Sequence, residues 1–551
     1  MIAKEERKND MKMYECTLPQ TNRLAFDYLA DKQLVRELFD YHYRTKDTYK
    51  KRQEELQKRQ FPRRELVTHL KQFNKQFAPH EKTLINIEKL TNENSLVVIG
   101  GQQAGLLTGP LYTIHKAISI IQLAKKQEKE LGIPVIPVFW IAGEDHDFDE
   151  INHIFVSDEM KNKKVSISQT QTTKQTMSQM KMDKIKVRKW IDMVLYYFGE
   201  TNYTNGLADS LYIKIEQSET FVDFFAHLMT ELFSKFGLVL VDSGDKDLRK
   251  IESSLFNEII THNPSLQQCV NEQLDYVKAL GYEKPIETDK NNAHLFYHHE
   301  EQRILLYQNE NSEFYGKNNE CLFSKKELKN MALYFPEKLS NNVITRPLMQ
   351  DYLFPTVAFV AGPGEIAYWG ILKKAFHLFN MKVPPVVPRL NITFVDRTVE
   401  KHLQELNIPL EEVLVHGTKA KKQNWFNQKK QWDVEEVSEK TKQQIDEVHQ
   451  SFRLLAVDVD PSLKKLAEKN ITIIQNQVGF LEKKIHSTIE KRYKNELNKF
   501  DAVEMALHPD NGLQERKWNI YYYLNEYGSD LIDRLLEMDY QFNDKHKIIF
   551  L

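Results

Sequence analysis

A short apolar, β-branched run, Ser95-Leu96-Val97-Val98-Ile99, stops at Gly100-Gly101 as a buried strand stops at a turn. A helix is expected next. Pro110 suits its first position with Thr108 or Gly109 as cap, Leu111, Ile114, Ile118 and Ile121 recur at helical spacing, and Leu131-Gly132 closes it. Pro134-Val135-Ile136-Pro137-Val138-Phe139-Trp140-Ile141 then reads as a second buried strand. Strand, helix and strand in that order demand a crossover, hence a parallel sheet with helices on its faces and ligands beyond the carboxyl ends of the strands.

The same idiom recurs downstream. A helix around Phe221 to Phe236 precedes the strand Leu238 to Asp242 and a helix starting near Asp247. Thr356 to Ala361 followed by Gly362-Pro363-Gly364-Glu365 is another strand, Gly-loop, helix unit, and Pro385 to Pro388 supplies a last strand. Between these lie polar stretches read as insertions, one with a hairpin or loop around Asp158 to Thr176, the other running from about Ser265 to Asn342 with alternating pieces such as Arg303 to Tyr307. Leu18 to Lys89 is rich in Lys, Gln and Glu with apolar residues three and four apart, as in helices wrapping a core.

Past Asp396 the texture becomes that of a coiled coil. Ile445, Val448, Phe452, Leu455 and Val459 form one seam, Asp460-Pro461 restarts the helix, and Ile471, Ile474, Val478, Leu481 and Ile485 form a second, so an antiparallel hairpin is expected. Each arm has only a few heptads and needs a further surface, either the core or a second chain. The expected plan is α/β: a Rossmann-like parallel-sheet core over 1–395 with insertions at about 155–205 and 265–342, a helical arm over 396–505, and a C-terminal helical segment, 506–551, packing on the core.

A chain of 551 residues predicts about three or four folding units. Its 76 Lys and Arg against 78 Asp and Glu leave no global field to hold nucleic acid or an anionic membrane. MIAKEERKND lacks the apolar centre of a signal peptide and no run is long enough to span a bilayer, so a cytoplasmic protein is expected. Cys16, Cys269 and Cys321 are far apart and form no CxxC pair, which suggests neither a disulfide framework nor a thiolate zinc site.

Four constellations could carry chemistry. Gly100-Gly101-Gln102-Gln103-Ala104-Gly105 leads from strand to helix, where free N–H groups favour an anion; it is neither GxGxxG nor a P-loop, and glycines needed only for close packing are the alternative. Tyr112, His115 and Lys116 follow in the first turns of the helix. The acidic turn Glu144-Asp145-His146-Asp147 can bind an amine, move a proton or hold Mg²⁺, while an acidic first helical turn explains Asp149 and Glu150 without a substrate. Arg346, Gln350 and Asp351, followed by Gly362, Gly364, Glu365 and Tyr368, offer a carboxylate or phosphate clamp, unless Arg346 simply pairs with Asp351. Gln514, Arg516 and Trp518 group donors with an aromatic, as an adenine and phosphate pocket would, or else dock a helix through Trp518.

Taken together, GGQQAGLLTGPLYTIHKA at 100–117, FWIAGEDHDFDEINH at 139–153, RPLMQDYLFPTVAFVAGPGEIAYWG at 346–370 and LQERKWN at 513–519 resemble, in order and over nearly the whole chain, the bacillithiol biosynthesis cysteine-adding enzymes, a cysteine ligase family. The resemblance implies a Rossmann-like core akin to nucleotidylyltransferases and class I aminoacyl-tRNA synthetases, two connecting insertions and a coiled coil that pairs two subunits. It implies the joining of L-cysteine, through its carboxyl, to the amine of glucosaminyl malate. Amide formation from a free carboxylate is uphill in water, so ATP is inferred, with Mg²⁺ accompanying it; zinc is not expected. In that scheme Gly101, Gln102, Gln103, Gly105, Tyr112, Lys116, Arg346, Gln350, Asp351, Gly362, Gly364, Glu365 and Tyr368 bind substrate, and Glu144, Asp145, His146, Asp147 and His115 act on the amine and its proton. A second nucleotide-like site would use Arg389, Asn391, Gln514, Arg516 and Trp518. Two rivals stay open: a nucleotidylyltransferase acting on another small metabolite, and a noncatalytic partner that assembles the pathway.

Overall fold

The structure, a computed structural model, describes residues 11–19, 22–169, 175–300, 302–429 and 432–551; the MIAKEERKND stretch and the 170–174 part of the first insertion lie outside them. The chain divides into two compact units rather than three or four: Met1–Phe394 with Leu513–Leu551, and Val395–Gly512.

The first unit is built on a five-stranded parallel sheet. Its order is Val386–Pro388, Thr356–Ala361, Leu96–Gln102, Val135–Ile141, Val239–Asp242. The first strand in sequence is thus central, and the order reverses beside it, which makes the carboxyl ends of Leu96–Gln102 and Thr356–Ala361 the switch point where such sheets bind ligands. Nearly every residue of these strands is buried, as expected of a sheet covered on both faces. Helix Leu111–Leu131 makes the crossover between the first two strands and ends at Gly132 in the left-handed conformation; Pro110 is its cap rather than its first residue.

The central strand runs on through Gly100 and Gly101 to Gln102 instead of turning there. The glycines permit close neighbours: a side chain at Gly101 would collide with the Trp140 carbonyl, and a Cβ at Gly100 would lie 2.9 Å from the Val360 carbonyl oxygen. The helix begins only at Leu111, whose N–H donates to the Trp518 carbonyl (2.8 Å), while the Asn519 side-chain amide donates to Leu107 and Gly109. The helix N-terminus therefore lies beyond Gly105, and its first N–H is already paired.

Both insertions are present. The first holds the antiparallel hairpin His153–Asp158/Lys161–Ser166 and the helices Lys184–Phe198 and Thr204–Gln217. The second is a five-stranded sheet ordered Leu322–Phe323, Phe314–Gly316, Gln302–Gln308, Asn292–His299, Leu339–Asn341. The strand Lys12–Cys16, which no reading of the sequence named, pairs antiparallel with the C-terminal strand His546–Phe550.

The second unit contains the helices Val434–Val459 and Lys464–Arg492, packed together across the short turn at Asp460-Pro461 as an antiparallel hairpin. The seams differ from expectation. Ile471 is buried, but Val448, Phe452, Leu455 and Val459 face solvent, with Val448 79% and Val459 73% exposed, and Leu481 and Ile485 are exposed too. A three–four apolar repeat marks a helix face; it does not say which partner covers that face.

Candidate active site

A cavity of about 690 Å³ opens at the switch point. Gly101 and Gln102 from the central strand and Gln103 just after it line it, together with Tyr112 and Lys116 of the following helix, Glu144, Asp145 and His146 after the second strand, and Gly362, Gly364, Glu365 and Tyr368 after Thr356–Ala361. Arg346, Arg389 and Arg516 also reach it. Residues from each of the four sequence-predicted groups thus meet in one place, though not all of their members do. Gly105 lines a smaller groove beside it, next to Gln103, Tyr112 and Glu150.

Lys116 is fully buried and donates to the Gly101 carbonyl (2.8 Å) and to Gln102 Oε1 (3.2 Å), and it pairs with Glu365. Burial pulls its ammonium below the ordinary lysine range, and Glu365 opposes that shift. Glu365 also accepts the Gly362 N–H at 2.7 Å, so one carboxylate both caps its helix and holds the lysine. Arg346 donates to the Tyr368 hydroxyl and not to Asp351. Burial pushes that phenol up to about 12.

Asp351 is spent elsewhere. It is 1% exposed and accepts from Arg52 (2.5 Å) and Arg59 (2.6 Å), which ties the N-terminal helices to helix Thr345–Leu353. Gln350, buried on the same helix, is not part of the cavity wall. His115 is likewise interior: its Nδ1 lies 3.1 Å from Glu515 Oε2, and burial lowers its pKa.

The acidic turn divides by environment. Glu144 is buried and accepts from Arg249 (2.6 Å) and from the Asn341 N–H (3.2 Å), so it anchors the second insertion to the sheet. Asp145 is half-buried and accepts from Gln103 Nε2 (2.8 Å) and from the His146 N–H (2.7 Å). His146 stands beside Phe296 and Arg303. Asp147 is exposed at the cap of the short helix Phe148–Ile151 and does not line the cavity.

The residues expected at a second nucleotide site separate in the same way. Arg389 and Arg516 line the main cavity, with Arg389 held by Glu515 through two contacts of 2.7 and 2.6 Å. These donors hold the Glu515 carboxyl well below the ordinary range despite its burial, whose opposing effect is the larger single influence. Gln514 bonds both the N–H and the carbonyl of Phe394, the Asn391 carbonyl accepts the Lys547 N–H, and Trp518 is buried, so these three fasten the C-terminal segment to the core.

Sequence reasoning missed the wall supplied by the second insertion: Asn292, Phe296, Arg303, Leu305, Asn341 and Asn342. No local motif marks them. The available signal was the alternation of Arg303 to Tyr307, which places every second side chain on one face of a strand without naming what that face meets.

Comparison with known proteins identifies the architecture. The family description "Bacillithiol biosynthesis BshC, N-terminal Rossmann-like domain" matches residues 11–390, and "Bacillithiol biosynthesis BshC, C-terminal coiled-coil domain" matches 392–551. Relatives bearing the name "Putative cysteine ligase BshC" include one from Geobacillus sp. (strain WCH70), 43% identical over 98% of this chain and 100% of its own length, and one from Bacillus cytotoxicus with the same identity and coverage. A third, from Bacillus anthracis, is 41% identical with equal coverage. With both domains matched in order and the relatives covered from end to end, the chain belongs to the BshC family of bacillithiol biosynthesis.

Proposed function

We propose that the cavity is the active site of a cysteine ligase that joins L-cysteine, through its carboxyl, to the amine of glucosaminyl malate and so forms bacillithiol. The observation that carries this reading is the pairing, in one cavity at the switch point, of cationic side chains with the half-buried Asp145 and His146. Anionic substrates suit the first set and an amine the second. The attacking amine must lose a proton, and a base within about 3 Å, Asp145 or His146, takes it. Lys116 and Arg346 hold a carboxylate or phosphate; Glu144, His115 and Asp351, each ion-paired, keep the frame in place.

ATP, with Mg²⁺, supplies the activation that an amide bond from a free carboxylate requires. Arg389 and Arg516 fit its phosphates, since both reach the cavity that Gly362 and Gly364 border. A second copy of the chain covers the exposed stripe of the helical hairpin, giving a homodimer. The setting is the cytoplasm, where ATP and cysteine are at hand.

The test is the low-molecular-weight thiol profile of cells lacking the protein, complemented with wild type, Asp145→Asn, Asp147→Asn or Arg346→Gln. Loss of bacillithiol with build-up of glucosaminyl malate, restored by wild type and by Asp147→Asn but not by the other two, is expected. Unchanged bacillithiol in the deletion overturns the reading and favours a nucleotidylyltransferase; rescue by every variant points to a noncatalytic role.

A further inference from the structure

Two half-buried guanidinium groups border the cavity with no carboxylate within 4.0 Å among the described residues; Arg516, which also borders it without one, is exposed. One of the two is Arg346. The other is Arg303, on strand Gln302–Gln308 of the second insertion. Both are enclosed by protein mass yet keep part of their surface open to the cavity. Lys116 and Arg389, also at this wall, each have one resident carboxylate partner, Glu365 and Glu515.

Arg303 is held rigidly. Its Nε donates to Ser340 Oγ (3.2 Å) and its Nη2 to the Asn341 carbonyl (2.6 Å), and the group lies 3.8 Å over the Phe296 ring. Glu144 and Asp145 attract it from a distance, but Glu144 is bonded to Arg249 and Asp145 to Gln103. Beside it the Asn341 side chain, 1% exposed, has no hydrogen-bond partner at either Nδ2 or Oδ1, and the buried Trp140 Nε1 has none either. All three residues line the cavity. An unsatisfied buried amide and a guanidinium without a counter-charge are each costly, and both belong to the wall of one cavity.

We propose that Arg303 and the Asn341 side-chain amide form a second anion receptor in the cavity, and that with Arg346 they select a dicarboxylate. A monoanion satisfies one guanidinium and leaves the other bare; a dicarboxylate satisfies both. The inference rests on the cavity being the substrate site, and under that reading it assigns the malyl end of the sugar substrate to the second insertion.

The experiment is NMR titration of the full-length protein with L-malate and with L-lactate, hydroxy acids carrying two carboxylates and one. Wild type should prefer malate, and Arg303→Gln should lower that preference by about ten- to a hundredfold. No preference in wild type, or one that survives Arg303→Gln, overturns the proposal. Should Arg303→Gln fail to fold, Asn341→Asp decides: it puts a resident carboxylate in the receptor, so malate preference should vanish while the melting temperature holds, and retained preference overturns the proposal. Glucosaminyl malate separates the two levels. If it binds wild type and Arg303→Gln alike, the receptor falls and the ligase reading stands; if it fails to bind while malate preference is intact, the ligase reading falls and the receptor stands.

Discussion

The unit built on the parallel sheet pairs several of its buried charges across the chain: Asp351 lies between Arg52 and Arg59, Glu515 between Arg389 and His115, and Glu144 against Arg249. In Val395–Gly512 the charges lie largely at the surface, and large apolar side chains such as Val448, Phe452, Leu455 and Val459 lie there with them. Buried ion pairs join segments far apart in sequence and so fix cavity geometry, because breaking one strands a charge in the interior. An exposed apolar stripe fixes nothing within its own chain, and its energy is released only when another surface covers it.

The largest expected effect breaks the first pattern. Glu515→Ala leaves Arg389 buried without its carboxylate and should cost about 3–5 kcal/mol, read as a drop in denaturation midpoint. An unchanged midpoint would mean that these pairs do not hold the core together.

A smaller effect sharpens the same point through pH. Asp242, which accepts from Ser178 Oγ (2.7 Å) and the Gly244 N–H (2.9 Å), has its carboxyl pushed by burial from 3.8 up to about 7. The folded state therefore keeps a proton that the unfolded state has lost, and stability falls as pH rises between those two values. Asp242→Asn abolishes this loss, so its stability relative to wild type should grow by roughly 1–3 kcal/mol from about pH 5 to about pH 8. A difference independent of pH would contradict the assignment.

Changes in the helical unit should move folding little and assembly much. The double variant Phe452→Glu, Leu455→Glu should alter monomer stability by no more than about 0.5 kcal/mol yet abolish concentration-dependent self-association in sedimentation equilibrium. A wild-type chain that sediments as a monomer at every concentration defeats the dimer proposal. Least of all, Lys442→Ala, which removes a partly exposed pair with Glu482 and an i,i+3 pair with Glu439, should leave the melting temperature nearly unchanged.

Much of the framework is legible in the chain. Leu96 to Ile99, Val135 to Ile141 and Thr356 to Ala361 are continuous apolar runs because both faces of a parallel strand are buried, and the hairpin turn at Asp460-Pro461 is equally local. Gly100 and Gly101 were harder to read, since glycine serves a turn and a close strand contact alike, and only the Trp140 and Val360 backbones distinguish the two. The strand Lys12–Cys16 was hidden because its partner lies at the opposite end of the chain.

By itself, then, the sequence determined the order of elements, the parallel core, the helical hairpin and the family, because period, turn residues and motif order are properties of neighbouring residues. The tertiary structure decided which side chains meet. Asp145 and Asp147 are two residues of one acidic turn, yet one borders the cavity and the other faces solvent. Asp351 and Arg346 share a helix, yet the first closes an interior ion network while the second borders the cavity. Arg303 reaches the site from an inserted sheet with no motif around it. Burial, partner and pKa depend on what packs against a group through space, and chain neighbours carry no record of that.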